Sequence, residues 1–199
     1  MRKMLFLAVC MAAAFSSYAQ NDCQIAVFGA LTDGVTDNTS TIQKAIDYVS
    51  AKGGGTISFS VGRYLTGAIE LKDNVVLDLK EGAVLVSSSN IHSYKGHGAL
   101  IYSSNATGVG IVGKGCIDGS SKALRASISD QMAKGYISSD AIPALVDLSG
   151  CADARVEGIK IINPAGASIV GVTPEGVYTY LYDEGKCITP SGKTIKLQK

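Results

Sequence analysis

Carboxylates are where bond-breaking chemistry would begin in this chain, because two of them set apart can share general acid and general base work. No Asp-Asp pair occurs anywhere in the sequence. The candidates outside the N-terminal region are Asp118, Asp130, Asp140, Asp147, Asp153 and Glu157. Asp147 alternates with Val146 and Leu148, which points it outward on a strand, and the others read as turn or solvated carboxylates. Arg125, Lys134 and Tyr136 lie in one stretch of charged and helix-forming residues that also approaches Asp140, and with Asp147 they form the candidate substrate-binding set. Gly96-His97-Gly98 reads as an exposed histidine between loop glycines. Tyr178, Tyr180 and Tyr182 share one strand face, as cross-strand packing or as an aromatic platform. Asp33 and Asp37 read as turn and cap residues. Cys23, Cys116, Cys151 and Cys187 have no zinc-site spacing and allow three disulfide pairings or four free thiols. No metal and no cofactor is expected.

The elements that must position these groups are short strands. From Gly53 to Ser89 the apolar runs Thr56–Phe59, Ala68–Leu71, Val75–Leu79 and Ala83–Val86 are separated by turns such as Lys72-Asp73-Asn74 and Lys80-Glu81-Gly82. They are too short for helices. Ala99–Gly119 aligns without gaps on Ala144–Pro164, 45 positions later, matching Leu100 with Leu145, Ile117 with Ile162 and Asp118 with Asn163. Residues 120–143 are a 24-residue insert, so the repeat is 21 residues, three strands and three turns, one coil of a solenoid. First-strand starts are assigned to Thr56, Val75, Ala99 and Ala144. Ahead of the coils, Ser40 and Gln43 read as a capping box, and Ile42, Ala45, Ile46 and Val49 share one helical face that would lid the first coil. In the insert, Leu124, Ile128 and Met132 recur at helical spacing. After Val177, strand candidates separated by Asp183-Glu-Gly185 and Pro190-Ser-Gly192 read as a meander covering the last coil.

Composition narrows the class. A chain of 199 residues, 46% apolar and 18% charged, is one globular domain, and its 23 glycines suit a fold of many tight turns. Arg2 and Lys3 precede an apolar run, Met4–Phe15, and Ser17 and Ala19 satisfy the small-residue rule, so residues 1–19 read as a signal peptide and 20–199 as the mature domain. Removing Arg2 and Lys3 from the 18 basic residues leaves 16 against 17 acidic, a net of −1. That balance offers nothing to nucleic acid or to an anionic membrane. A secreted or periplasmic protein is expected.

Phe28-Gly29-Ala30, Asp33-Gly-Val-Thr-Asp-Asn-Thr39, Gly-Gly-Gly-Thr56, Tyr64-Leu-Thr-Gly67, Leu71-Lys-Asp-Asn-Val75, Leu79-Lys-Glu-Gly-Ala83 and Ile117-Asp-Gly119 resemble the N-terminal half of the polygalacturonases, glycoside hydrolase family 28, in the pectate-lyase-like β-helix superfamily. The resemblance covers about Cys23 to Ser168. It implies a right-handed parallel β-helix acting on pectin-type polysaccharide by inverting hydrolysis. The expected fold is therefore all-β: about four coils, an N-terminal capping α-helix, the insert at 120–143 and a C-terminal cap over 170–199. The family's catalytic coils carry Asn-Thr-Asp, Asp-Asp, Gly-His-Gly and Arg-Ile-Lys in that order. The 35 residues after Pro164 contain none of them, and Gly96-His97-Gly98 precedes the coil where the family's motif would follow. The expectation is a shortened or non-catalytic, carbohydrate-binding relative. The alternative is an active inverting hydrolase using other carboxylates.

Overall fold

The computed structural model describes residues 21–137 and 142–197, so the signal segment and Asp140 lie outside the described residues. In chain order the elements are β1 (Cys23–Gln24), β2 (Asp33–Asp37), α1 (Thr39–Ala51), β3 (Gly55–Phe59), β4 (Gly62–Thr66), β5 (Ile69–Glu70), β6 (Val75–Leu79), β7 (Ala83–Ser87) and β8 (Ala99–Tyr102). There follow β9 (Gly110–Gly113), β10 (Cys116–Asp118), α2 (Ser121–Ala133), β11 (Ala144–Asp147), β12 (Arg155–Glu157), β13 (Lys160–Ile162), β14 (Ile169–Val170), β15 (Tyr178–Leu181), β16 (Lys186–Ile188) and β17 (Thr194–Lys196). Successive strands fall into three sheets, ordered β1-β3-β6-β9-β12, β2-β4-β7-β10-β13-β15-β16-β17 and β5-β8-β11-β14. Every pairing is parallel except those of the β15–β16–β17 meander. The chain therefore winds, and each winding lays one strand on each sheet.

Because strand side chains alternate with period two, in-register stacking turns alternate residues into columns. Ile57, Leu77, Ile111 and Val156 follow one another across the first sheet. Tyr64, Leu85, Ile117 and Ile161 do so across the second, and Ile69, Ile101, Val146 and Ile169 across the third. All but Ile169 are buried, most of them completely, and together they form one core. Leu100 and Leu145, matched in the sequence repeat, are both buried in it. Helix α1 closes the first winding with Ile42, Ala45, Ile46 and Val49, all wholly buried.

Three sequence expectations are corrected. Thr56 and Val75 lie at the starts of β3 and β6 of the first sheet, whereas Ala99 and Ala144 start β8 and β11 of the third, where Ile101 and Tyr102 stack on Ile69 and Glu70. The cause is residues 88–98, an eleven-residue excursion between β7 and β8. With it, Val84 pairs with Cys116 and Ile69 with Ile101, 32 positions apart in each case. Second, the gapless alignment slips by one after Gly113. Ile117 stacks on Ile161 and Asp118 on Ile162, because three residues separate the paired Val112 from Cys116 while two separate Glu157 from Lys160. Burial selects this register: Ile161 is wholly buried and Ile162 is not. Third, the Ser40–Gln43 capping box does not form. The N-cap is Asn38, and Thr39 N–H donates to Asp37 Oδ1 at 2.8 Å, leaving Ser40 within the first turn. The cysteines at 23, 116, 151 and 187 are free thiols.

Candidate functional site

The outward residues of the third sheet form a row of their own: Glu70 on β5, Tyr102 on β8, Asp147 on β11 and Val170 on β14. Two open cavities follow this row. One, of about 660 Å³, lies between α1, the end of β5 and residues 88–98, and is lined by Gln43, Lys44, Asp47, Glu70, Lys72 and Lys95 among others. The next, of about 270 Å³, runs over Ser103, Asn105, Asp147 and Ser149. Both are lined by His97 and Tyr102, so these two side chains stand where the cavities meet.

Helix α1 is fastened to the sheet edge by Gln43. Its Oε1 accepts from Glu70 N–H at 2.8 Å, and its Nε2 donates to Glu70 C=O at 3.1 Å. A side-chain amide thereby occupies the place of a further strand on β5, which would otherwise present open backbone. Lys72 Nζ bridges to Asp47 at 2.7 Å. Partial burial pushes the Asp47 carboxyl up, but hydrogen bonds from Lys72 and Gln43 outweigh it and hold the carboxyl below its usual range. Lys72 is raised by its bond to Asp47, against some desolvation, and further by the charges of Asp47, Glu70 and Tyr102. Among the described residues, Lys44 and Lys95 stand in no ion pair.

Residues 88–98 are a pinned loop. Tyr94 and Ile91 are buried, Tyr94 OH donates to Ser88 C=O at 3.2 Å, and Asn90 Oδ1 accepts from His92 N–H at 3.1 Å. Ala68 N–H donates to Ser93 C=O at 3.1 Å, His97 N–H to Tyr94 C=O at 2.8 Å, and Ala144 N–H to Gly98 C=O at 2.8 Å. Burial pushes the Tyr94 phenol up to about 12. The loop delivers His97 flat onto Tyr102, with ring centroids 4.1 Å apart, planes 19° off parallel and Nε2 3.0 Å from the phenol oxygen. Partial burial raises the Tyr102 phenol, Glu70 adds to this and Lys72 opposes it. Asp147 Oδ1 accepts from Ser149 N–H at 2.9 Å and Ser149 Oγ at 2.6 Å. Among the described residues no group of three His, Cys, Asp or Glu side chains could hold a metal.

Of the residues singled out in the sequence, Asp147 lines this groove. Arg125 donates to Ala165 C=O and lines a separate cavity with Lys122, Asn163, Asp183 and Glu184. Lys134 pairs with Asp130 one helical turn back at 2.7 Å, Tyr136 is 71% exposed, and Asp140 lies outside the described residues. Tyr178, Tyr180 and Tyr182 stack in a row, with centroids 6.4 and 5.5 Å apart, the first two on β15 of the second sheet and Tyr182 in the 3-10 turn that follows it, none of them lining the groove. Sequence reasoning missed Gln43, Glu70, Lys72 and Tyr102. The repeat carried one signal, since aligning Ala99–Tyr102 with Ala144–Asp147 already places Tyr102 beside Asp147.

No family model matches the chain. An exo-poly-alpha-D-galacturonosidase of Dickeya chrysanthemi is 30% identical over 207 aligned positions, which take in 77% of this chain and 34% of that protein. The chain thus spans about a third of the length of the curated galacturonosidase and polygalacturonase it matches. A candidate glycosyl hydrolase of Parabacteroides merdae superposes with a TM-score of 0.77 at 44% identity, over 80% of this chain and 75% of that one. A family 28 exopolygalacturonase of Yersinia enterocolitica superposes with a TM-score of 0.69 at 23% identity over 81% and 39%, a likeness of fold.

Proposed function

This chain belongs to the polygalacturonase-like, glycoside hydrolase family 28-like group of parallel β-helix proteins, and from that premise we propose that it binds a pectin-type polysaccharide along the third sheet without hydrolysing it. The observation that carries the reading is the groove itself, an extended open trough in which Lys44, Lys72 and Lys95 can meet the carboxylates of an acidic glycan and the Tyr102–His97 stack can meet a sugar ring. Lack of hydrolysis is supported by the sequence, which has no Asp-Asp pair, and by Asp147, whose Oδ1 is held by the amide and hydroxyl of Ser149. The N-terminal Arg2-Lys3 and the apolar run behind it support export to the periplasm or beyond.

A second reading, inverting hydrolysis by other carboxylates, draws on Glu70 and Asp147. They share one face with a single strand between them, which puts their Cα atoms roughly 10 Å apart, close to the gap inverting hydrolases keep for water. Native gels cast with polygalacturonate or with a neutral glycan test both. Retardation by polygalacturonate alone is expected, with no product that has gained water across the broken bond. Absence of retardation overturns the binding reading, and products carrying added water overturn the non-hydrolytic one.

A further inference from the structure

We infer that the trough selects a glycan with a free carboxylate on the residue over its α1 end and an uncharged residue over Asp147. The inference rests on the reading that the trough holds a pectin-type polysaccharide.

Charge is not spread evenly along the trough. The cavity beside α1 is lined by Lys44, Lys72 and Lys95 and by Asp37, Asp47 and Glu70. Several of these are already engaged. Lys72 bridges to Asp47 at 2.7 Å and lies within the field of Glu70, and Asp37 Oδ1 accepts from both the N–H and the hydroxyl of Thr39. Lys44 on α1 and Lys95 on the loop at residues 88–98 are left, one on each wall, to meet an incoming carboxylate.

Past Tyr102 and His97 the lining changes. Among the described residues of the second cavity there is no lysine or arginine, and Asp147 is the one carboxylate, in the company of Ser104, Asn105 and Ser149. Among the described residues no cation pairs with Asp147. Hydroxyl and amide groups suit the hydroxyls of a sugar. A uronate carboxylate placed there would face a like charge with nothing to offset it.

The change falls over a short distance. Tyr102 and Asp147 are paired neighbours on adjacent parallel strands, about 5 Å apart, so a short oligosaccharide lying along the trough meets both linings at once. A chain of free uronates can reach Lys44 and Lys95 only by setting another carboxylate against Asp147. A fully methyl-esterified chain leaves both lysines without a partner. A chain in which free and esterified uronates are neighbours satisfies both ends, and so does one that alternates a uronate with a neutral sugar.

The test is affinity electrophoresis of the whole protein in gels cast with polygalacturonate that is unesterified, about half methyl-esterified or fully methyl-esterified. The half-esterified chain should bind about 2- to 5-fold more tightly than either extreme, the range that one exposed charge contact supplies. Asp147→Asn keeps an oxygen for the N–H and hydroxyl of Ser149 and removes only the charge. It should abolish the preference for the half-esterified over the unesterified chain. Asp130→Asn, the same change of net charge on α2 at a residue that lines neither cavity, should leave that preference intact. Lys44→Gln and Lys95→Gln should each weaken binding of the unesterified and half-esterified chains about 2- to 5-fold and leave the fully esterified chain unaffected.

A polymer alternating galacturonate with rhamnose separates the two sources of an uncharged residue. Binding equal to the half-esterified chain supports any uncharged residue over Asp147, and weaker binding supports the methyl ester. Unesterified chain bound as tightly as half-esterified, or a preference that survives Asp147→Asn, overturns this inference and leaves the binding reading standing. Absence of retardation by all of these chains overturns both.

Discussion

Gln43 does at the scale of one side chain what a neighbouring strand does elsewhere in the sheet, meeting both the N–H and the C=O of Glu70. Gln43→Ala should therefore cost about 1–3 kcal/mol, since it leaves a partly buried donor and acceptor at the sheet edge unmatched. Urea unfolding should show a lower midpoint with an unchanged slope, and Gln43→Glu, which keeps an acceptor but no donor, should fall between. The spacing Ser40-x-x-Gln43 matches a helix-capping signature, yet nothing local to it reveals that the glutamine's partner lies 27 positions away. Asn163 makes the complementary case. Its backbone adopts φ +42°, and its Oδ1 accepts from Tyr182 N–H at 2.7 Å. Its alignment with Asp118 marks a turn, but nothing local to it reveals an amide partner 19 positions on. At Gly113, φ is +115° and a Cβ would stand 2.2 Å from Leu79 C=O, so Gly113→Ala should be destabilising by about 2–4 kcal/mol in the same unfolding assay.

Elements differ in how openly the sequence announced them. Helix α1 was legible because its four core residues recur at helical spacing. The loop at residues 88–98 was not, because it breaks no pattern: Ile91 and Tyr94 are apolar positions without a period. Its stability rests on Tyr94, and that has a pH signature. The folded phenol titrates at about 12, above its ordinary value near 10, so ionisation is disfavoured in the folded state. The stability involved is fully present below pH about 10 and is lost as pH rises toward 12. At pH 11 the loss attributable to Tyr94 should be about 1 kcal/mol. It should be visible as a drop in urea midpoint between pH 9 and pH 11 that is smaller by about that amount in Tyr94→Phe, the remainder coming from other raised groups such as Tyr102 and Lys72. Helix α2 buries Leu124 and Ile128 but leaves Met132 38% exposed, so the third residue of that apparent stripe lies beyond the contact.

As a whole the molecule is close to one-dimensional, each winding resting on the one before. A cavity in the middle of a column has no way to collapse, so Leu77→Ala, wholly buried between Ile57 and Ile111, should cost about 2–5 kcal/mol. Ile195→Ala, 41% exposed on the terminal meander, should stay within about 0.5 kcal/mol, both read from denaturant midpoints. What the sequence by itself determined was the alphabet of the fold: short strands, a repeat of 21 residues, an apolar helix face for the open end, and inward and outward alternation along each strand. These are properties of neighbouring residues, set by backbone sterics and side-chain polarity. Only the tertiary structure decided which strand lies on which, because stacking depends on the lengths of the excursions between strands. One loop at residues 88–98 displaced the apparent starts, and one residue fewer after Glu157 moved Ile117 from Ile162 onto Ile161. Most of the groove belongs to that second kind of information. The repeat of 45 positions records the meeting of Tyr102 with Asp147, but Gln43, Lys72 and His97 join them only because winding returns the chain to the same sheet, and no spacing along the chain records that return.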